Sequence, residues 1–437
     1  MVTFRNIFTS LLLASATLPL TAQTNGSNSP YSRYGFGLLG DRGNAFNKGM
    51  AGTAYGMQNG KELNTKNPAS YAAIDSLTFL FDLGLSMQNG NIAQGGVKTN
   101  AKNSSVDYVT AGFRVAKNVG MSLGLVPFST IGYNTSSKEE IQASNQVLTK
   151  TTTFSGDGGL HEAYIGVGWA PFRRFSIGMN AGYLWGDLSH TVLMNFDDSN
   201  INSTRQAYET DIRTYKADFG LQYVQPLDKK NTLTLGLTYG LGHDIKRDAY
   251  YYNQKVVTGS SASGDTLVCR NAFQLPHTLG AGITWTHDNS LRVGVDYTFQ
   301  KWADMKFPMV VENAAGALDY VGRKDLFTDL HKVSLGMEYV KNPEGLRWRQ
   351  RVRYRAGFSY QTPYTKIGGV DGPQHFLASV GVALPITNMH NSRSLINFSA
   401  QYERVKPKMA GMITENYIRF SIGLTFNERW FMKWKAE

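Results

Sequence analysis

Tyr417-Ile418-Arg419-Phe420-Ser421-Ile422-Gly423-Leu424-Thr425-Phe426 is the stretch on which the fold is decided. Ile418, Phe420, Ile422, Leu424 and Phe426 share one parity, and Tyr417, Arg419, Ser421, Gly423 and Thr425 share the other. Side chains alternate faces along a strand, whereas a helix needs a period of 3.6, so the segment reads as a strand with one apolar and one polar face. Leu233, Leu235, Leu237, Tyr239 and Leu241 repeat the pattern against Thr232, Thr234, Gly236, Thr238 and Gly240. Leu291, Val293, Val295, Tyr297 and Phe299 do so against Arg292, Gly294, Asp296 and Thr298.

Runs of this kind fill the chain after residue 75 and predict fourteen strands. They lie near 77–89, 104–117, 119–131, 159–170, 173–188, 211–225, 231–245, 272–286, 290–303, 331–341, 349–361, 374–385, 394–405 and 415–427. Most exceed the roughly 9–11 residues that a tilted strand needs to cross a bilayer. Short connections (117–119, 171–173, 228–230, 287–289, 342–345) alternate with long polar ones near 132–158, 189–210, 246–271 and 304–330. Outer-membrane barrels have short periplasmic turns, long outer loops and an even strand number, which puts both termini on the periplasmic side. A soluble β-sandwich or propeller is the competing architecture and has no reason to keep this rhythm. The predicted fold class is therefore all-β, a transmembrane antiparallel β-barrel over 76–428.

Composition agrees. Mean hydropathy is −0.29, with 45 Gly, 23 Tyr and 23 Phe in 437 residues, the average expected when lipid-facing and lumen-facing residues alternate. Glycine recurs inside the strands on the inward parity. A net charge of +11 suits anionic lipid headgroups or lipopolysaccharide phosphates, or reflects basic outer loops. Nucleic acid is a poor fit, since no basic helix or base-stacking module is present. Cys269 is alone, which excludes an intrachain disulfide and a cysteine-based zinc site.

The ends differ from the middle. Arg5, the apolar run Ile7–Leu20 and Thr21-Ala22-Gln23 have the layout of a cleaved signal peptide over 1–22, which implies export to the outer membrane of a Gram-negative bacterium. A buried N-terminal helix is the alternative. Residues 23–75 carry no sustained alternation, yet Tyr31, Tyr34, Phe36, Phe46, Met50, Met57 and Tyr71 make them richer in aromatic and apolar residues than a disordered tail. They are expected to form a hatch in the lumen, with a free tail as the other reading. Residues 429–437 include Trp430 and Trp434, which suit either the membrane interface or a docking tail.

Arg42-Gly43, Gly49-Met50-Ala51-Gly52-Thr53-Ala54 and Asn67-Pro68-Ala69, followed by fourteen strands, resemble the FadL/OmpP1/TodX family of outer-membrane transporters. The resemblance covers nearly the whole chain after the signal segment, with its specific motifs confined to 42–70. It implies a fourteen-stranded barrel, with Arg42, Gly43, Gly49, Gly52, Asn67, Pro68 and Ala69 in the hatch. It also implies hydrophobic compounds that leave sideways through a kinked third strand. Pro127-Phe128 falls in the third predicted strand. Proline cannot donate to a ladder, so it marks a bulge or gap, or else ends the strand early. No substrate-contacting residue of the family matches individually.

Arg347, Arg349, Arg351, Arg353 and Arg355 occupy alternate positions. On a strand, Arg349, Arg351, Arg353 and Arg355 would form a lumen-facing row, because lipid disfavours charge. The row reads either as an anion track or as a set of partners for lumen acids such as Glu338, Glu403, Asp41, Glu62 or Asp75. Catalytic motifs are absent: no G-x-S-x-G, no H-E-x-x-H, and Gly60-Lys61-Glu62 fails the P-loop pattern. His161-Glu162 reads as a strand-start rim pair. No catalytic residue, metal ligand or cofactor is expected.

The expected function is passive uptake of a small hydrophobic compound, fatty-acid-like or aromatic. The alternative is a scaffold or accessory subunit of an outer-membrane secretion or assembly complex, and a surface enzyme is a weaker third. Expected partners are outer-membrane lipid and lipopolysaccharide, with a hydrophobic small molecule or protein partners according to which reading holds.

Overall fold

The structure is a computed structural model describing residues 27–429, apart from 144–145, 199, 257–262 and 387–393. The expected signal segment and the tail tryptophans lie outside the described residues.

Fourteen antiparallel strands close into one barrel. They are β1 (Thr78–Gln94), β2 (Val97–Ala116), β3 (Val119–Pro127 and Ser129–Ala143), β4 (Gln146–Phe172) and β5 (Phe175–Phe196). Next come β6 (Ser203–Pro226), β7 (Asn231–Gly240 and Ala249–Val256), β8 (Ser263–Cys269 and Thr278–His287) and β9 (Leu291–Gln300). The last are β10 (Leu330–Val340), β11 (Arg353–Gln361), β12 (Gln374–Pro385), β13 (Leu395–Lys406) and β14 (Thr414–Arg429). The seam joins β14 to β1 from Thr78↔Arg429 to Ala93↔Thr414. Each predicted strand has its counterpart. The pleat explains the alternation: Leu237, Ile283, Val295, Leu335 and Ile422 are exposed to the lipid side, while Thr234, Thr284, Asp296, Ser334 and Ser421 are buried inside.

The long connections differ from expectation. Residues 132–158 are mostly ladder, with β3 and β4 paired out to Ala143↔Gln146. β5 and β6 stay paired to Met194↔Thr204, and β7 and β8 to Lys255↔Ser263. Beyond the apolar band water bathes both faces, so backbone pairing continues where apolar alternation has no reason to. The 304–330 stretch instead forms a separate hairpin, Phe307–Glu312 with Leu318–Arg323.

One level of the wall is bent. β3 breaks at Phe128, and beside it Gly158, Gly159 and Gly186 have φ of +116°, +136° and +149°. A Cβ on Gly158 would lie 2.1 Å from the Asp187 carbonyl oxygen, so only glycine lets the backbones approach there.

Candidate functional site: a filled lumen beside a broken wall

The site is the interior, and residues before β1 occupy it. Pro68–Ala73 form a 3₁₀ helix whose start is built by sequence. Asn67 Oδ1 accepts the Ala69 N–H at 3.1 Å, and proline at the first position gives up a donor that would have no partner. Asn67 Nδ2 donates to the Tyr55 carbonyl at 2.8 Å, which ties the helix to the preceding turn.

The wall meets this segment with glycine. A Cβ on Gly178 would sit 2.4 Å from the Pro68 carbonyl carbon, and one on Gly120 would sit 1.9 Å from the Tyr71 oxygen. Further round, a Cβ on Gly236 would sit 1.9 Å from the Tyr55 oxygen and one on Gly357 would sit 2.3 Å from the Met50 carbonyl carbon. The inward glycines noted in the sequence are thus a girdle that brings wall and hatch backbones into contact. Within the hatch, Gly52 turns at φ +87° and donates to the Asn47 carbonyl. Gly49 packs on Arg355, and Gly43 N–H donates to Asp41 Oδ1 at 3.1 Å.

Charge pins it at several places, Lys48 with Asp107 and Lys61 with Glu344 among them. Arg42 bridges Glu162 and Asp218, each at 2.9 Å, and Lys216 lies 2.5 Å from Asp218. Lys66 lies 2.5 Å from Asp41, with Lys332 at 4.0 Å. Burial would raise the Asp41 carboxyl, but these cations hold it well below the usual carboxylate range. Arg355 donates to Glu62 and Glu338, both at 2.7 Å, and to Asn397 at 2.6 Å. Arg353 lies 3.1 Å from Glu338 and 3.4 Å from Glu62, and Arg292 lies 3.4 Å from Glu338. Three guanidiniums therefore share two buried carboxylates, one of them brought by the hatch.

The arginine row is shorter than the sequence pattern implies. Arg353 and Arg355 point into the lumen, whereas Arg349 lies in a 3₁₀ turn, Trp348–Gln350, and Arg351 caps it. Trp348 Nε1 donates to the Pro385 carbonyl at 2.7 Å, which holds that turn at the barrel rim before β11 starts. Glu403 pairs with His375 at 2.8 Å, not with these arginines. Glu162 is mid-strand and 1% exposed, so it is a hatch anchor and not a rim residue, while His161 faces outward. Its role could have been found from strand length, since β4 begins well before residue 159.

Above the polar zone the interior turns apolar. Phe36 from the hatch is fully buried, with ring centroids 5.8 Å from Trp302, 6.0 Å from Phe273 and 5.5 Å from Phe307. Beside this cluster remains a cavity of about 190 Å³ lined by Tyr208, Phe307, Val310 and Tyr320, with Arg33, His190, Glu209 and Thr210 as polar members. Arg33 stacks over Phe154 at 4.4 Å.

The wall is interrupted next to it. β2 pairs with β3 only between Ala116↔Val119 and Val109↔Leu125. Among the described residues, no ladder joins β2 residues 97–108 to β3 after Leu125. Phe128 N–H donates to Leu160 of β4 at 2.7 Å, so the donor missing at Pro127 falls on the opposite side, toward β2. The hatch edges this break: Leu38 pairs with Thr130 and Leu39 with Ser129, and Gly40 N–H donates to the Phe128 carbonyl at 2.8 Å.

A family model described as BamG matches residues 3–437. No curated relative matches by sequence. Among solved structures, the CymD monoaromatic hydrocarbon channel is 15% identical, covers 92% of this chain and 99% of its own, and has a TM-score of 0.57. The Ralstonia pickettii toluene transporter TbuX is 15% identical over 91% of this chain and 100% of its own, with a TM-score of 0.59. A Pseudomonas aeruginosa FadL homologue is 12% identical over 89% of this chain and 99% of its own, with a TM-score of 0.61. The chain thus has the FadL-type fold of outer-membrane hydrophobic-compound channels.

Proposed function

We propose that this chain, which belongs to the BamG family, is a structural barrel of the outer membrane and serves as a scaffold or accessory subunit of a larger secretion or assembly complex. The observation that carries this reading is the buried joint of Glu62 with Arg353 and Arg355, which fastens the hatch to the wall where glycines already bring the backbones together. A plug meant to leave would need a water-filled or weakly bonded contact, and a half-broken buried ion cluster costs about 3–5 kcal/mol. The division into an exported segment 1–22, hatch 23–75, barrel 76–428 and tail 429–437 belongs to this proposal, and no catalytic role is part of it. Extraction from outer membranes in mild detergent should bring the chain out with stable protein partners, and the pure barrel should be silent in planar bilayers. A partner-free chain that conducts would overturn the reading.

A second reading, uptake of a small hydrophobic compound, is favoured by the break in the wall. Solved structures of this fold include a toluene transporter and a monoaromatic hydrocarbon channel. Here such a compound would enter the aromatic cavity near Tyr208 and Tyr320 and leave sideways past Pro127 and Phe128 once Leu38–Leu39 lets go of β3. Toluene flux into liposomes that stops when the hatch strand is cross-linked to β3 would support it. Flux no faster than in protein-free liposomes would rule it out.

A further inference from the structure

The outer surface of the barrel carries a second hollow. Trp169, Ile177, Leu221, Leu237, Ala281 and Tyr297 face one another in register across β4 to β9. A parallel row, one pleat further from the periplasmic turns, is Val167, Met179, Phe219, Tyr239, Leu279 and Phe299. Between the rows the inward-pointing positions are Gly168, Gly178, Gly220, Thr238, Gly280 and Thr298, and the four glycines among them press on the hatch. On the lipid side a groove of about 970 Å³ lies between the two rows of mostly large apolar side chains, over the strand backbone that the glycines bring against the hatch. Six strands at about 4.8 Å spacing make it about 24 Å long. Half of the roughly 30 Å hydrocarbon core is about 15 Å, so one acyl chain fits with room for strand tilt.

The β4 end of the groove opens near charge. Arg173 and Arg174 form the turn after β4, four residues beyond Trp169 and three before Ile177, about 10–13 Å along the strand. The Arg174 carbonyl accepts the Val224 N–H at 2.7 Å, which sets this turn beside β6, and Lys229 and Lys230 sit on the turn after β6. All four are exposed. Among the described residues, Arg173, Arg174 and Lys229 have no carboxylate partner, and Lys230 is 3.6 Å from Asp288. Trp169 and Phe172 lie outward at this level, as aromatic residues do where headgroups meet the apolar band. The short turns mark this end as periplasmic.

We propose that this groove and turn form a binding site for an anionic phospholipid of the periplasmic leaflet, with an acyl chain along the glycine floor and its phosphate at Arg173 and Arg174. The occupant follows from charge: an apolar strand of another protein would fill the hollow but leave Arg173, Arg174 and Lys229 without counter-charge, and a zwitterionic lipid would neutralise them less well. The site does not depend on whether the lumen conducts.

Native mass spectrometry of the full chain, delipidated in mild detergent and titrated with phosphatidylglycerol or phosphatidylethanolamine of the same acyl chains, tests it. Phosphatidylglycerol should be retained more tightly. R173Q together with R174Q should remove that preference, a loss of roughly thirtyfold for two surface cations, while phosphatidylethanolamine is unchanged. Ala281→Trp, which blocks the groove from the lipid side, should lower retention of both. Heat-modifiable migration on gels shows that each variant is folded. Equal retention of the two lipids, a preference that survives R173Q/R174Q, or indifference to Ala281→Trp would overturn the proposal. So would a co-purified protein strand that lipid fails to displace.

Discussion

Arg42 of the hatch and Glu162 of β4 meet at 2.9 Å inside the barrel, with Asp218 of β6 on the other arm of the same guanidinium. One hatch side chain thereby ties together two strands that are not neighbours. Arg42→Ala would leave Glu162 buried with only Lys216 at 3.8 Å, and should destabilise hatch docking by about 3 kcal/mol. The readout is protease cleavage within the hatch of the folded barrel, expected to be slow in the parent and fast in the variant.

Glu62 and Arg355 should show energetic coupling. Glu62→Gln and Arg355→Gln each strand a charge, whereas the double variant removes both. The double variant should therefore be less destabilised than the sum of the single changes, by about 1–3 kcal/mol in a denaturant cycle. Strict additivity would mean that the pair does not hold the hatch.

The girdle predicts a steric effect without charge. Gly178→Leu and Gly236→Val should displace Pro68 and Tyr55 and give bilayer conductance or hatch cleavage in a barrel that still folds. Gly322→Ala, in the outer hairpin and 3.9 Å from its nearest neighbour, is the control and should change nothing measurable.

Acid should loosen the hatch in a defined direction. Because Lys66 and Lys332 hold the folded Asp41 carboxyl below its unfolded value of about 3.9, its contribution is complete above that pH and is lost as pH falls below it. Hatch cleavage by an acid-active protease should rise below about pH 4 in the parent. In D41N docking should be weaker at neutral pH, and the rise attributable to this carboxylate should be absent.

How much of this could be read from the chain depends on what surrounds each residue. Lipid on one side forces apolar residues onto alternate positions, so Ile418 to Phe426 and the other spanning segments were readable at once. Residues 132–158 were not, because above the bilayer both faces are wet and paired strands carry no alternation. Arg349 and Arg351 have the spacing of a strand but sit in a turn, since the pull of Trp348 toward Pro385 is a tertiary contact that no local pattern displays. The partners of Arg42 come from strands more than a hundred residues away. The glycines were visible as a parity, but what they approach was not.

The girdle also constrains history. The hatch precedes β1 in the chain, and the seam between β1 and β14 is the last pair of edges to exist during synthesis. Once that seam has zipped, backbone-to-backbone contacts at Gly178, Gly236 and Gly357 leave no slack through which a folded segment could be threaded. A hatch already folded in this form must then lie on the curling sheet when its edges meet, as the mandrel on which the wall is wound.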